Sequence, residues 1–203
     1  LTLLWSCNQS PQSQTGPVTK LTIAALIPSF SSYTIYVASE KGCFKEQGLD
    51  ITLKSFPHGK ASLEALMKGQ VAFATSSETP FMHAVVNGGK ICLVAAMITG
   101  EKHLAVVGRK DKGISAPKDL KGKRIGVTSG TNGEYFLDTV LLLNGISRDQ
   151  IETVNVKPKK MFEVLMKGEV DAIATWNPQM YQALKALGPG GVAFYAEGLY
   201  SPA

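Results

Sequence analysis

No stretch of the chain reaches the roughly 18 consecutive apolar residues that a membrane-spanning helix needs, although 44% of its residues are hydrophobic. Histidine and cysteine are scarce, three of each in 203 residues, and their spacing does not suit a metal: there is no Cys-x-x-Cys and no His-x-x-x-His. His58, His83 and His103 stand apart from one another and read as surface or packing residues. Gly-x-Gly-x-x-Gly, the P-loop and Gly-x-Ser-x-Gly are missing, and no base stands out beside a nucleophile. The expectation is a chain that carries no metal, no cofactor and no catalytic residue.

Charge narrows the classes further. The formal charge of +5 rests partly on one block, Arg109, Lys110, Lys112, Lys118, Lys121, Lys123 and Arg124. Nucleic-acid binding is disfavoured because no aromatic residue is interleaved there and Asp111 and Asp119 interrupt the block. It reads as a solvated face, with docking to a partner as the lesser option.

What the chain has in abundance is repetition. Glu64-x-Leu66-Met67-Lys68-Gly69-Gln70-Val71 returns as Glu163-x-Leu165-Met166-Lys167-Gly168-Glu169-Val170. Each copy reads as a helix ending in Lys-Gly, where glycine suits the left-handed residue past the last turn, followed by an apolar strand. Each strand then meets a polar loop ending in Pro80 or Pro178, with Thr79 and Asn177 as expected N-caps and proline at the first helical position. Upstream, residues 21–27 and 124–128 read as strands that break into polar loops and helices, and residues 50–56 and 152–156 read as the next strands. Both halves follow β-loop-α-β-α-β-loop-α, which predicts an α/β fold: two Rossmann-like lobes, each a parallel sheet covered by helices.

Open α/β sheets bind ligands beyond the carboxyl ends of their strands. Four loops fall there, supplying Ser29, Phe30, Tyr33, Ser76, Ser77, Glu78, Ser129, Gly130, Thr131, Asn132, Trp176 and Asn177 as candidate ligand-binding residues. Hydroxyls and amides dominate, Lys and Arg are absent, and a helix starts at each loop, so backbone N–H groups would face a cleft. The competing reading is that these side chains merely cap helices. For Thr131 it is specific, since Thr131-x-x-Glu134 is a capping-box pattern. With no cation in the loops, Glu78 favours a ligand with an amine or amino-heterocycle, and Trp176 opposite Phe30 or Tyr33 offers flat faces. An aminosulfonate or a pyrimidine-type precursor is expected ahead of nitrate.

Four motifs, Tyr36-x-Ala38-x-Glu40-Lys41-Gly42-x-Phe44-x-x-x-Gly48-Leu49-Asp50, Leu66-x-x-Gly69-x-Val71, the Asp119-to-Val127 string Asp-Leu-Lys-Gly-Lys-Arg-Ile-Gly-Val, and Gly168-x-Val170-Asp171-Ala172-x-x-x-Trp176-x-Pro178, occur in this order. Over residues 21–187 the chain resembles the periplasmic solute-binding proteins of ABC importers, in the branch that handles sulfonates, nitrate, taurine and thiamine-precursor pyrimidines. The resemblance implies the type II periplasmic binding protein fold, two hinged lobes closing on a small molecule, and a permease and an ATPase as partners. The loops at Ser29-Phe30, Ser76-Ser77, Ser129-Gly130-Thr131 and Trp176-Asn177 match the family's ligand-contacting loops. Cys43 stands where the family usually has another residue. In this family the chain crosses to the second lobe and later returns, so the expected division is 1–20, 21–103 and 104–203, with one crossing at 101–104 and the returning segment beyond Ala203. Enzymes of thiamine-pyrimidine or menaquinone synthesis share the architecture and form the alternative class.

The first residues, Leu1-Thr2-Leu3-Leu4-Trp5-Ser6-Cys7, resemble the end of a bacterial lipoprotein signal. Cys7 would then carry lipid and residues 8–20, rich in Gln, Ser, Thr and Pro, would form a tether. A plain secretory signal and a fortuitous cysteine remain open. Export leaves room for a disulfide between Cys43 and Cys92, though two separate buried thiols are the preferred expectation.

Overall fold

The computed structural model describes residues 17–26, 29–98, 100 and 102–195, apart from the side chains of residues 30 and 31. Two sheets organise the described residues. The first runs β2-β1-β3, from strands β1 (Thr19–Leu26), β2 (Leu49–Phe56) and β3 (Phe73–Ala74), and both pairings are parallel. The alternate apolar residues of β1 converge into an unbroken buried end, Ile23, Ala24, Ala25 and Leu26, as expected for a central strand covered on both faces. Helices α1 (Phe30–Glu40), α2 (Cys43–Glu46), α3 (Gly59–Met67) and α4 (Glu78–Val86) accompany this sheet. Its core is small, with Ala24, Ala65 and Val71 at the centre and Phe56, Leu66 and Ala74 packed around them.

The second sheet runs β6-β5-β7-β4-β8. Its strands are β4 (Leu104–Arg109), β5 (Arg124–Val127), β6 (Glu152–Asn155), β7 (Ala172–Trp176) and β8 (Gly191–Phe194). Helices α5 (Asn132–Leu143), α6 (Met161–Met166) and α7 (Gln179–Leu187) cover it. One face buries Leu104, Val106, Ile125, Phe136, Leu137 and Leu141, and the other buries Val107, Met161, Leu165, Ile173, Met180 and Ala183. The parallel expectation holds for β5 with β6 and with β7. It fails for β4, which runs antiparallel to both β7 and β8. Residues 104–109 were not read as a strand, yet Leu104, Ala105, Val106 and Val107 are no more than 1% exposed. A continuous apolar run, with no alternation, is what a strand buried on both faces requires.

The two copies of the repeat fold alike at their helix ends. Gly69 (φ +68°) and Gly168 (φ +72°) sit past α3 and α6. In each, the glycine N–H donates to a leucine carbonyl in the last turn, Leu66 or Leu165, and the next residue donates to Ala65 or Val164. These are the bonds of a Schellman end, and the left-handed glycine makes them free of Cβ strain.

Several local expectations are corrected. α4 begins at Glu78 with Ser77 as N-cap, so Thr79 lies buried in the first turn and Pro80 is its third residue, where no helical N–H is lost. α7 begins at Gln179 with Pro178 at the cap position, and the Asn177-Pro178 bond is cis, so Asn177 is not the cap. Cys92 does not lie in a strand: no described strand pairs with residues 91–98, and Leu93 and Val94 are exposed. Cys43 and Cys92 are free, as two separate thiols should be, but both are exposed, because α2 buries nothing and 91–98 has no ladder to cover it.

Arg109, counted in the basic block, is half-buried, and its guanidinium donates to the carbonyls of Leu165 and Met166 (2.8 and 3.1 Å), tying β4 to the end of α6. On the exposed side of that helix Glu163 meets Lys160 and Lys167 (2.6 and 2.7 Å). Hydrogen bonds from these ammonium groups pull its carboxyl from 4.5 down to about 2. A depressed folded-state value contributes stability above pH 4.5 that is lost as pH falls toward 2. The pair is solvent-screened, so the expected effect is small and local. Glu163→Gln should flatten the melting temperature of the second lobe between pH 5 and pH 2 relative to wild type, as read by circular dichroism. An identical acid profile in both proteins would refute the assignment.

Candidate functional site

Parallel β1, β3, β5 and β7 all open their carboxyl ends toward the four loops, and in the first lobe two of those loops are bolted together. Ser32, fully buried in α1, accepts from Leu26 N (2.9 Å), and Thr75 after β3 approaches the same N–H (3.1 Å). The two hydroxyls share a hydrogen bond of 3.1 Å. Ser62 of α3 donates to the Thr75 carbonyl and to that of Gly59. Neither Ser32, Ser62 nor Thr75 was singled out from sequence. Their signal is burial of hydroxyls in otherwise apolar elements, which spacing does not reveal.

Around this lock, Ser76 and Ser77 are half-buried, and Ser76 Oγ donates to the Ser77 carbonyl (3.2 Å). Glu78 is exposed on the first residue of α4, and Tyr33 is half exposed on α1. Ser29 N-terminal to α1 accepts from Ser32 N through its carbonyl (3.1 Å). Phe30 is the first residue of α1, and its side chain lies outside the described residues.

In the second lobe the capping-box expectation is displaced by one residue. Thr131 occupies the N-cap, but its hydroxyl donates to the Thr128 carbonyl (2.6 Å), and Glu134 accepts from Gly130 N (2.7 Å) instead of from Thr131 N. Gly130 is left-handed (φ +74°), which turns its N–H back into reach of Glu134. Arg148 holds that carboxylate from its other side (3.0 Å). Ser129 is exposed, its N–H donating to Asn155 (3.2 Å), while Thr131 and Asn132 are buried. Trp176 is half-buried and packs on the core beneath α5, so close to Gly133 that a Cβ there would lie 3.3 Å from the indole ring. Asn177 is half-buried beside it.

Lys60, a cation outside the four loops, lies against one of them. A Cβ placed on Gly130 would lie 3.0 Å from both Cδ and Nζ of Lys60. Lys60 stands in the first turn of α3, and neighbouring Gly59 is pressed onto the other loop: a Cβ there would fall 2.5 Å from Ser76 Oγ and 3.2 Å from Ser77 N. Lys60 therefore stands between the 76–77 loop and the 129–132 loop. The four loops themselves hold no cation, and the turn after β2 brings one beside them. β2 is parallel to β1, so the turn after it opens on the same edge and could have been counted as a fifth loop. The turn is fixed by His58, read earlier as a packing or surface residue, which caps α3 by accepting from Ala61 N at Nδ1 (3.2 Å). Burial lowers the His58 pKa, Glu64 raises it and Lys60 lowers it, in that order of size, which favours the neutral ring that can accept. His58 thus fixes the start of α3, two residues before Lys60.

A family model described as NMT1/THI5 like matches residues 29–202. The chain belongs to the NMT1/THI5 like family. Among curated relatives, a Brucella abortus protein named as a binding protein is 28% identical over 166 residues, 82% of this chain and 50% of its own length. The Escherichia coli taurine-binding periplasmic protein is 29% identical over 136 residues, 66% of this chain and 41% of its own. Among solved structures, the alkanesulfonate-binding protein SsuA from Xanthomonas axonopodis pv. citri, bound to MOPS, superposes with a TM-score of 0.76 at 26% identity, covering 91% of this chain and 63% of that one. The chain thus spans about half the length of the curated relatives it matches. The fold of this NMT1/THI5 like chain is that of the type II periplasmic binding proteins, as its motifs implied.

Proposed function

We propose that this chain belongs to the extracytoplasmic solute-binding component of an ABC-type importer, which captures a small anion such as a sulfonate between two lobes and delivers it to a permease driven by an ATPase. The observation that carries the reading is Lys60, an ammonium on one lobe lying against the Gly130 turn of the other, beside the loops where α4 and α5 begin. An anion between them gains contacts from both sides only when the lobes are closed, which is the differential affinity that hinge closure needs. Support comes also from relatives named for taurine and alkanesulfonate binding. The reading is of a non-catalytic protein. Residues 21–103 and 104–203 form its lobes, and the ligand meets Ser29, Ser76, Ser77, Ser129, Gly130 and Asn177 with Trp176 as its aromatic wall. Pyrimidine precursors fall behind sulfonates, because Lys60 replaces the cation-free cleft that had favoured them.

Calorimetry on the full-length gene product with alkanesulfonates, aminosulfonates, nitrate and an aminopyrimidine tests this. A stoichiometric sulfonate complex is expected, with a smaller radius of gyration in small-angle scattering on binding. Lys60→Gln should weaken it about tenfold, the order expected of one charge-assisted hydrogen bond. Turnover of any of these compounds, or affinity indifferent to Lys60, would refute the proposal.

Cys7 lies outside the described residues, and lipid anchoring at Cys7 with residues 8–20 as tether is part of the same proposal. Expression with the native leader should give a diacylglyceryl adduct on Cys7 by mass spectrometry of the N-terminal peptide. A processed N-terminus downstream of Cys7 would rule it out.

A further inference from the structure

Thr131 is the N-cap of α5, yet the carboxylate of Glu134 closes its bond one residue earlier, on Gly130 N (2.7 Å). The other oxygen of that carboxylate accepts from the Arg148 guanidinium (3.0 Å), which also donates to Asp138 one turn further along the helix. Arg148 is itself held in place. Ile146 is buried in the core beneath α5, and Gln150 accepts from Ser147 N (3.2 Å), so the short turn Arg148–Gln150 is fixed beside the helix. No acceptor among the described residues meets Thr131 N, and Thr131 is 3% exposed. A buried N–H is rarely left open, because it forfeits a hydrogen bond to water and gains none in return. The turn that carries this one is the turn against which Lys60 of the first lobe lies.

We infer that Arg148 is a positioning residue for the ligand site: it holds the Glu134 carboxylate off Thr131 N and so keeps that donor open for an anion between the lobes. The inference rests on the solute-binding reading above. In a full capping box the third helical residue accepts from the N-cap N–H. Thr131-x-x-Glu134 has the sequence for that arrangement, and without Arg148 the carboxylate is free to adopt it. A carboxylate at the start of a helix takes the same N–H groups and the same positive dipole end as an incoming anion, so the two exclude each other. Arg148 removes that competitor. Its ion pairs are partly exposed to solvent and contribute little stability by themselves, so their value lies in where they put Glu134. Losing Arg148 should therefore cost affinity without costing the fold.

Calorimetry on the full-length gene product with ethanesulfonate as the anionic probe tests this, with the ligand-free melting temperature of each protein measured alongside. Arg148→Ala should weaken ethanesulfonate about tenfold, the order of one charge-assisted hydrogen bond lost to a competitor. Its melting temperature should not fall. Adding Glu134→Ala to Arg148→Ala removes the competing carboxylate and should recover most of the lost affinity, and Arg148→Lys should keep most of it. Amide hydrogen exchange gives a readout that needs no ligand: protection should pass from the Gly130 N–H in wild type to the Thr131 N–H in Arg148→Ala. Wild-type affinity in Arg148→Ala would overturn the inference and leave the solute-binding reading standing. A loss that Glu134→Ala does not rescue would overturn it as well, and would make Arg148 a brace of α5 alone. If wild type binds no sulfonate, the anion reading falls and the role of Arg148 falls with it.

Discussion

Phe136→Ala should lower the unfolding free energy of the second lobe by about 3–5 kcal/mol, the range for deleting a well-packed buried ring. Phe136 is the largest side chain among those almost fully buried, and from α5 it joins the core cluster that holds Leu104, Ile125, Val127 and Ala174. Strands β4, β5 and β7 supply those neighbours, so the cavity would open at the centre of the five-stranded sheet, where three elements cannot relax together. Urea denaturation followed by tryptophan fluorescence measures the loss. Leu142→Ala in the same helix is the control: Leu142 is 78% exposed, and its loss should stay within about 0.5 kcal/mol. A Phe136→Ala loss as small as the control's would show that α5 is not seated as described.

Trp176→Ala should act twice. The indole packs on the Phe136 core and against Gly133, so its removal should cost about 2–3 kcal/mol of stability, below the full range for a buried Trp because the ring is only half-buried. The exposed part of the ring forms the wall of the proposed site, so ligand affinity should fall by a further 1–3 kcal/mol or so. Trp176→Phe separates the two effects. It should restore most of the stability and only part of the affinity. Unchanged affinity in a folded Trp176→Ala protein would make Trp176 a core residue alone and remove it from the site.

Helix and strand order was legible because the repeat supplied every punctuation mark twice. Lys-Gly after an apolar helix face leaves the chain little alternative, and Gly69 and Gly168 adopt the same left-handed turn. Boundaries were less legible. Proline is tolerated at any of the first helical positions, so Pro80 did not fix where α4 starts, and Pro178 stands one place before α7. The missed strand β4 has no alternation to find, since both its faces are buried. At the site, the loops themselves could be read, but the direction of each side chain could not. Glu134 serves Gly130 in place of Thr131 because the left-handed turn at Gly130 redirects an N–H, a geometric fact absent from the letters. Lys60 was missed for a different reason: the turn after β2 was not counted with the other loops, and its reach depends on how far one lobe lies from the other.

The hydroxyl lock among Ser32, Thr75 and Leu26 N has a mechanical meaning. It ties the end of β1 and the first turn of α1 to the residue after β3, and Ser62 joins α3 to the same point. The first lobe thus presents an anvil, already shaped before anything lands on it. Whatever compliance the cleft has must come from the opposite jaw and from long side chains such as Lys60, so retuning selectivity calls for exchanging the tips and leaving the anvil untouched.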